Sequence, residues 1–242
     1  MQKKIAKKEL KKIYILNDSH KWMEIKSDRE VNHPYFSEYK LQKKRLERLI
    51  PLIKLKRNYM VVDYGCGTGL LADLIGKKVD SYVGVDFSKQ FINVAKRRHK
   101  NSKNAEFHCQ DIIKFSKSHI GKYDLAFTMD FSEHLYDDEF IMIYKAIKNT
   151  LKPNGKLIMH TPNGDYFLEI LKKWGIVKRQ TGHVGIRNVE EYMILLNKTG
   201  YQHIKISRLS HYISSLACFH FMSFVPFLGI FFKARLFIES KK

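Results

Sequence analysis

Hydrophobic and polar positions alternate along this chain in short blocks. Tyr59-Met60-Val61-Val62 is an apolar run that meets an acid, Asp63, and then three glycines at alternate positions, Gly65, Gly67 and Gly69. A helix-like stretch, Leu70 to Lys77, follows. Apolar run, glycine turn and helix make the opening unit of an α/β sheet. The pattern then repeats. Strands are predicted at Tyr82–Asp86, Ala105–Cys109, Lys122–Met129, Lys156–Thr161, Tyr201–Ser207 and Ala234–Glu239. Helices are predicted at Ser37–Leu49, Lys89–Lys100, Glu139–Leu151 and Asn188–Lys198. The last opens on an Asn cap with two glutamates in its first turn, and Gly200 stops it.

The glycine turn indicates a ligand. Glycine lets the backbone turn sharply and lie against a bound molecule without a Cβ in the way. The amides at the following helix N-terminus favour a carboxylate or phosphate. In an open α/β sheet the ligand sits outside the carboxyl ends of the strands. Asp63, Asp86, Asp111, Asp130 and His160 all fall at such ends. The spacing is not that of a dinucleotide site, because a G-x-G-x-x-G count from Gly65 lands on Leu70. The pattern is D-x-G-x-G-x-G.

Those residues resemble motif I of the class I S-adenosylmethionine-dependent methyltransferases, and the resemblance runs from about Tyr59 to Tyr201. Gly84-Val85-Asp86-Phe87-Ser88 resembles motif II, and Asp111-Ile112 resembles the adenine-contacting pair. Asp130-Phe131-Ser132-Glu133-His134-Leu135 is similar to the D/E-x-x-E-H-[LIV] signature of a subgroup that includes the ubiquinone-type O-methyltransferases. The Lys152-Pro153-Asn154-Gly155 turn is a further landmark. The resemblance implies a Rossmann-like α/β fold with a seven-stranded sheet in the order 3-2-1-4-5-7-6 and helices on both faces. It implies S-adenosyl-L-methionine as cofactor, with S-adenosyl-L-homocysteine as product. The cofactor set it implies is Asp63, Gly65, Cys66, Gly67, Gly69, Asp86, Phe87, Asp111, Ile112 and Met129. Asp86 would accept from both ribose hydroxyls, since a carboxylate offers two oxygens. Asp111 would accept from the adenine amine, although an Asp there also suits a helix cap.

Methyl transfer from a sulfonium needs an aligned acceptor, exclusion of water and, for a hydroxyl acceptor, removal of a proton. His134 is the candidate base, Glu133 would orient it, and His160 is a second candidate; each is also a plausible loop-bonding residue. A metal reading stands beside this. Asp130, Glu133 and His134 share one turn and His183 comes later, a mixed carboxylate and imidazole set suited to a divalent ion. Small-RNA 2′-O-methyltransferases resemble this arrangement, but Asp130 replaces their first glutamate, and the favoured reading has no metal.

Composition adds the question of partners. The 242-residue chain carries a formal net charge of +20, which suits an anionic membrane surface, nucleic acid or an anionic substrate, or simply a solvated basic face. Residues 1–57 hold 17 Lys or Arg against 7 Asp or Glu and are read as a basic extension, either a lid or a docked helix. An aromatic patch lies there, at Trp22, His33, Pro34, Tyr35, Phe36 and Tyr39. Residues 58–208 form the core, with an insertion at 164–182 whose apolar face (Tyr166, Phe167, Leu171, Trp174) adjoins lysines. Ubiquinone-type relatives place a membrane-contacting insertion there, and Thr181-Gly182-His183 resembles their following turn. Leu209 to Phe232 lacks Lys, Arg, Asp and Glu, but Pro226 and Gly229 interrupt it and a strand must still follow. A spanning helix is therefore rejected in favour of a membrane-dipping or substrate-covering helical hairpin within a final segment, 209–242. Three widely spaced cysteines and the absence of an apolar leader suggest a reduced, cytoplasmic setting, with peripheral association at the inner face of the membrane. The reading is O-methylation of a small or lipid-linked acceptor. The alternatives are an RNA 2′-O-methyltransferase and a cofactor-binding module without catalysis.

Overall fold

A computed structural model describes residues 36–180, 182–210 and 221–242. Its centre is a seven-stranded sheet in the order β3-β2-β1-β4-β5-β7-β6. The strands are β1 (Met60–Tyr64), β2 (Ser81–Asp86), β3 (Ala105–Cys109), β4 (Tyr123–Met129), β5 (Leu151–Pro162), β6 (Gln202–Leu209) and β7 (Arg235–Lys241). The first five run parallel, and β7 is antiparallel to both β5 and β6. The helices are α1 (Phe36–Glu47), α2 (Leu70–Ile75), α3 (Lys89–Arg98), α4 (Ile112–Lys117), α5 (Asp137–Thr150), α6 (Phe167–Lys173) and α7 (Val189–Lys198).

Both sheet faces are buried, as a parallel sheet requires. The period-2 alternation of side chains divides them. Val61, Tyr82, Leu125, Phe127 and Ile158 face one core with α2 and α3, whereas Val62, Val85, Ala126, Leu157 and Met159 face the other with α5 and α7. The end of α1 joins the first core through Leu46 (5% exposed) and Leu49 (2%). The described part of the basic extension is thus a docked helix. Residues 1–35, with Trp22, His33, Pro34 and Tyr35, lie outside the described residues, as does Thr181.

Two departures from the expected elements have local causes. Strand β5 begins at Leu151, which pairs with Tyr123, so the Lys152–Gly155 turn lies inside it as an irregularity. Asn154 makes that bend at φ +63°, a left-handed conformation that Asn tolerates. Much of the expected helical hairpin, residues 211–220, lies outside the described residues. Leu209 ends β6, and within residues 221–232 there are two 3₁₀ turns, Phe221–Phe224 and Gly229–Phe232. Pro226 lacks the N–H a helix needs there, and Phe227 lies at φ +65°. No described helix is long and apolar enough to cross a membrane.

Candidate active site

The turn after β1 crosses over β2. The amides of Gly65 and Cys66 both donate to the Val85 carbonyl, at 2.8 and 3.2 Å. Gly65 (φ +72°) and Gly69 (φ +78°) are left-handed, and a Cβ on Gly65 would stand 2.8 Å from the Phe131 ring. Asp86, at the end of β2, closes the loop. Its Oδ2 accepts from the Gly67 amide at 3.0 Å and its Oδ1 from the Ser88 amide at 2.8 Å. Burial pushes the Asp86 carboxyl up to about 6, against the pull of these amide bonds.

Below the loop, Asp63 is 2% exposed. Its Oδ2 accepts from the Tyr82 hydroxyl at 2.6 Å, and its Oδ1 has no protein partner. Burial, with Asp86 nearby, raises its carboxyl to about 7 although the Tyr82 bond opposes this.

A cleft opens at the carboxyl ends of β1, β2 and β4. Gly65, Gly67, Asp86, Phe87, Asp111 and Ile112 line it together with Asp130, Phe131, His134 and Leu135. Six of the ten expected cofactor residues therefore meet in one cavity. Asp63, Cys66, Gly69 and Met129 are not among its lining residues. Cys66 is a buried thiol pushed up by burial, and Met129 packs against the α2–α3 core. Asp111 lines the cleft and also caps α4, its Oδ1 accepting from the amides of Ile113 (3.0 Å) and Lys114 (3.3 Å). Sequence reasoning did not assign Phe91, Phe131, Leu135, Glu139 or Ile143 to the cavity. Apolar residues at helical spacing look like core until the fold shows which of them face a gap.

The acid–histidine segment ends β4. Asp130 (φ +52°) accepts from His160 Nδ1 at 3.0 Å and is paired with Arg45 of α1 and, at 3.4 Å, with Arg235 of β7. Burial opposes its ionisation, but the two guanidinium groups and His160 outweigh it and hold the carboxyl well below the usual range. His160 is 1% exposed and is absent from the cleft lining, and its imidazole is bonded to Asp130. Burial lowers it to about 4, even though Asp130 favours the proton.

Glu133 follows in the 3₁₀ turn Ser132–His134 and is also buried, accepting from Thr161 Oγ1 at 3.2 Å. Burial first, then the Asp130 charge, raises its carboxyl to about 8. His134 Nδ1 lies 3.0 Å from the Gly182 carbonyl. A carbonyl only accepts, so Nδ1 carries a proton here, and in the neutral ring that leaves Nε2 as the basic nitrogen. The His183 ring stands 4.9 Å away at 75°, and burial, with His134 and Arg235 close by, lowers its pKa to about 3. Of the four residues in the metal reading, Glu133, His134 and His183 offer ligand atoms within 4.8 Å of one another. Asp130 is absent from that group and is engaged by its ion pairs.

The sheet order, the antiparallel β7 beside β5 and the glycine turn held over Asp86 define the class I S-adenosylmethionine-dependent methyltransferase fold. A sequence model described as a methyltransferase domain matches residues 33–206, and the chain belongs to that family. Among curated relatives, a ubiquinone biosynthesis O-methyltransferase of Coxiella burnetii is 34% identical over 126 residues, covering 50% of this chain and 51% of that protein. A malonyl-[acyl-carrier protein] O-methyltransferase of Halalkalibacterium halodurans is 28% identical over 171 residues, 66% of this chain and 62% of that one. The chain thus spans about half the length of the first of these relatives. Among solved structures, magnesium protoporphyrin IX methyltransferase from Synechocystis PCC 6803 with bound SAH aligns at a TM-score of 0.68, with 17% identity, over 98% of this chain and all (100%) of that one. A SAM-dependent methyltransferase from Archaeoglobus fulgidus aligns at 0.64, with 21% identity, over 84% and 94% of the two chains.

Proposed function

We propose that this chain transfers a methyl group from S-adenosylmethionine to an oxygen of a small or lipid-linked acceptor at a membrane surface. The observation that carries the reading is the cleft itself, which Gly65, Gly67 and Asp86 line together with His134. The residues present suit the cofactor. Asp86 would bind the ribose hydroxyls, Phe87 and Ile112 would flank the adenine, and Asp111 would meet its amine. Bound there, the cofactor would supply an activated methyl group for in-line displacement.

The chain's own contribution is positioning and proton removal. His134, protonated on Nδ1 by its bond to Gly182, would take the acceptor hydroxyl proton on Nε2.

The acceptor side carries the membrane reading. Phe167 of the insertion packs on Phe232 with ring centroids 5.4 Å apart, which joins α6 to the 221–232 segment. Trp174 (71% exposed), Phe224 (84%) and Phe227 (93%) leave an apolar surface in water, with Lys173, Lys178 and Lys233 nearby in the chain. A second reading, metal-dependent methylation of an RNA 2′-hydroxyl, is favoured by one observation, the gathering of Glu133, His134 and His183. Asp130 lies outside that group and is held by its ion pairs, which weighs against the four-residue set.

Calorimetry of S-adenosylmethionine with the wild type and Asp86→Ala, repeated with anionic liposomes and with RNA, tests this reading. Micromolar binding that Asp86→Ala abolishes is the expected result, together with association with liposomes. No binding by the folded wild type overturns the cofactor assignment. Salt-sensitive binding to RNA but not to liposomes overturns the lipid one.

A further inference from the structure

Arg187 comes immediately before Asn188, the cap of α7, and is 3% exposed. A cation is disfavoured at a helix N-terminus, so something else must hold it there. Its Nε donates to Asp137 Oδ1 at 2.8 Å. Nη1 donates to the carbonyls of Ser132 (3.1 Å) and Gly185 (2.8 Å), and Nη2 to that of Leu135 (2.6 Å). The guanidinium also lies 5.1 Å from the Phe140 ring. A planar group with five N–H donors fits such a set; a lysine ammonium, with three donors at one point, does not.

Ser132 and Leu135 bracket Glu133 and His134. The loop that carries Arg187 also reaches that pair directly. The Gly185 amide donates to the Glu133 carbonyl at 2.8 Å, and the Gly182 carbonyl accepts from His134 Nδ1 at 3.0 Å. A Cβ on Gly185 would collide with the Leu135 carbonyl and stand 2.7 Å from the guanidinium. The 3₁₀ turn itself has only long internal bonds, from His134 to Phe131 and from Leu135 to Ser132, both 3.2 Å. Such turns hold weakly alone. Arg187 is not a lining residue of the cleft, so any effect it has on chemistry passes through this turn.

We propose that Arg187 is a positioning residue: it locks the Ser132–Leu135 turn against the 182–187 loop, so that His134 keeps Nδ1 on the Gly182 carbonyl and Nε2 as its only basic nitrogen. The inference rests on His134 as base, but its primary readout is independent of turnover.

The test is the ¹⁵N spectrum of histidine-labelled full-length protein, with the His134 signals assigned through His134→Gln. The wild type is expected to show one neutral tautomer, protonated on Nδ1. Arg187→Lys is expected to show averaged Nδ1 and Nε2 shifts while retaining cofactor binding. Asp137→Ala removes the Nε acceptor from a side chain that is 72% exposed, so it leaves the core intact and decides the matter if Arg187→Lys does not fold. It is expected to move the shifts the same way by a smaller amount. An unchanged tautomer in the folded variants overturns the proposal. Once an acceptor is identified, Arg187→Lys is expected to lower kcat about tenfold at unchanged KM for the cofactor. Full turnover by His134→Gln, with a tautomer that still responds to Arg187, would refute the base assignment and leave the positioning role standing.

Discussion

His160 donates from Nδ1 to Asp130 Oδ1 across 3.0 Å, and of the two residues only Asp130 lines the cleft. Arg45 and Arg235 meet the same carboxylate. The end of β4, the end of β5, the start of β7 and the N-terminal helix α1 are therefore tied together at one acid. That acid serves as a junction, and the histidine bonded to it is part of the junction. The two candidate bases are separated by this arrangement.

His134→Gln is expected to lower kcat by about 10²–10⁴, the range for a general base, with cofactor affinity little changed. His160→Gln is expected to act on stability instead. It disturbs the Asp130 bond in a buried site, at a cost of about 1–3 kcal/mol. Denaturant unfolding and single-turnover assays of the two variants separate these outcomes, and a reversed pattern removes His134 as the base.

Glu133 makes stability depend on pH with a definite sign. Its carboxyl is raised from 4.5 to about 8, so the folded state holds the proton more tightly than the unfolded state. That contribution is fully present below about 4.5 and is lost as pH rises through about 8. Glu133→Gln cannot ionise. Relative to wild type it is expected to gain about 2–4 kcal/mol between pH 5 and 8. Melting curves at several pH values check this, and a flat difference would contradict the buried neutral acid.

The glycine turn allows a graded comparison. An Ala at Gly67 (φ +51°) meets nothing within 4 Å and bears only the left-handed strain, about 1–2 kcal/mol. An Ala at Gly65 (φ +72°) bears that strain and also drives its Cβ to 2.8 Å from the Phe131 ring. Gly65→Ala is expected to lose cofactor affinity at least tenfold more than Gly67→Ala, read by calorimetry. Equal losses would show that Phe131 yields freely.

Phe224 and Phe227 stand in water at 84% and 93% exposure. The double change Phe224→Asp, Phe227→Asp is expected to alter folding stability by under about 0.5 kcal/mol, as exposed sites do. Sedimentation with anionic vesicles is expected to fall several-fold. Unchanged vesicle binding, or none in the wild type, removes this surface from the membrane reading.

Much of the sheet was legible from local pattern. Apolar runs ending in acids or glycines mark β1 to β4 within a residue or two of their observed ends, because strand and helix periods are imposed by the backbone itself. Capping is equally local: Asn188 and Glu191 form a reciprocal capping box at α7 that can be read directly from four residues. The strand order came from resemblance, since no period encodes which strands become neighbours. The start of β5 was misplaced for a related reason. Leu151 joins the sheet by pairing with Tyr123, and that partner is invisible along the chain.

By itself, the sequence determined that an acid-ended strand, three alternate glycines and further strand-end acids would build a ligand cleft on an α/β sheet. These are consequences of backbone geometry over a few residues. Only the tertiary structure decided which members share the cavity: that Asp86 binds the Gly67 amide, that His160 is bonded to Asp130, and that Arg187 grips the turn carrying His134. Those relationships join residues 19, 30 and 55 positions apart. The charge, burial and tautomer of a side chain depend on what is packed against it, and packing is settled only when the whole sheet closes.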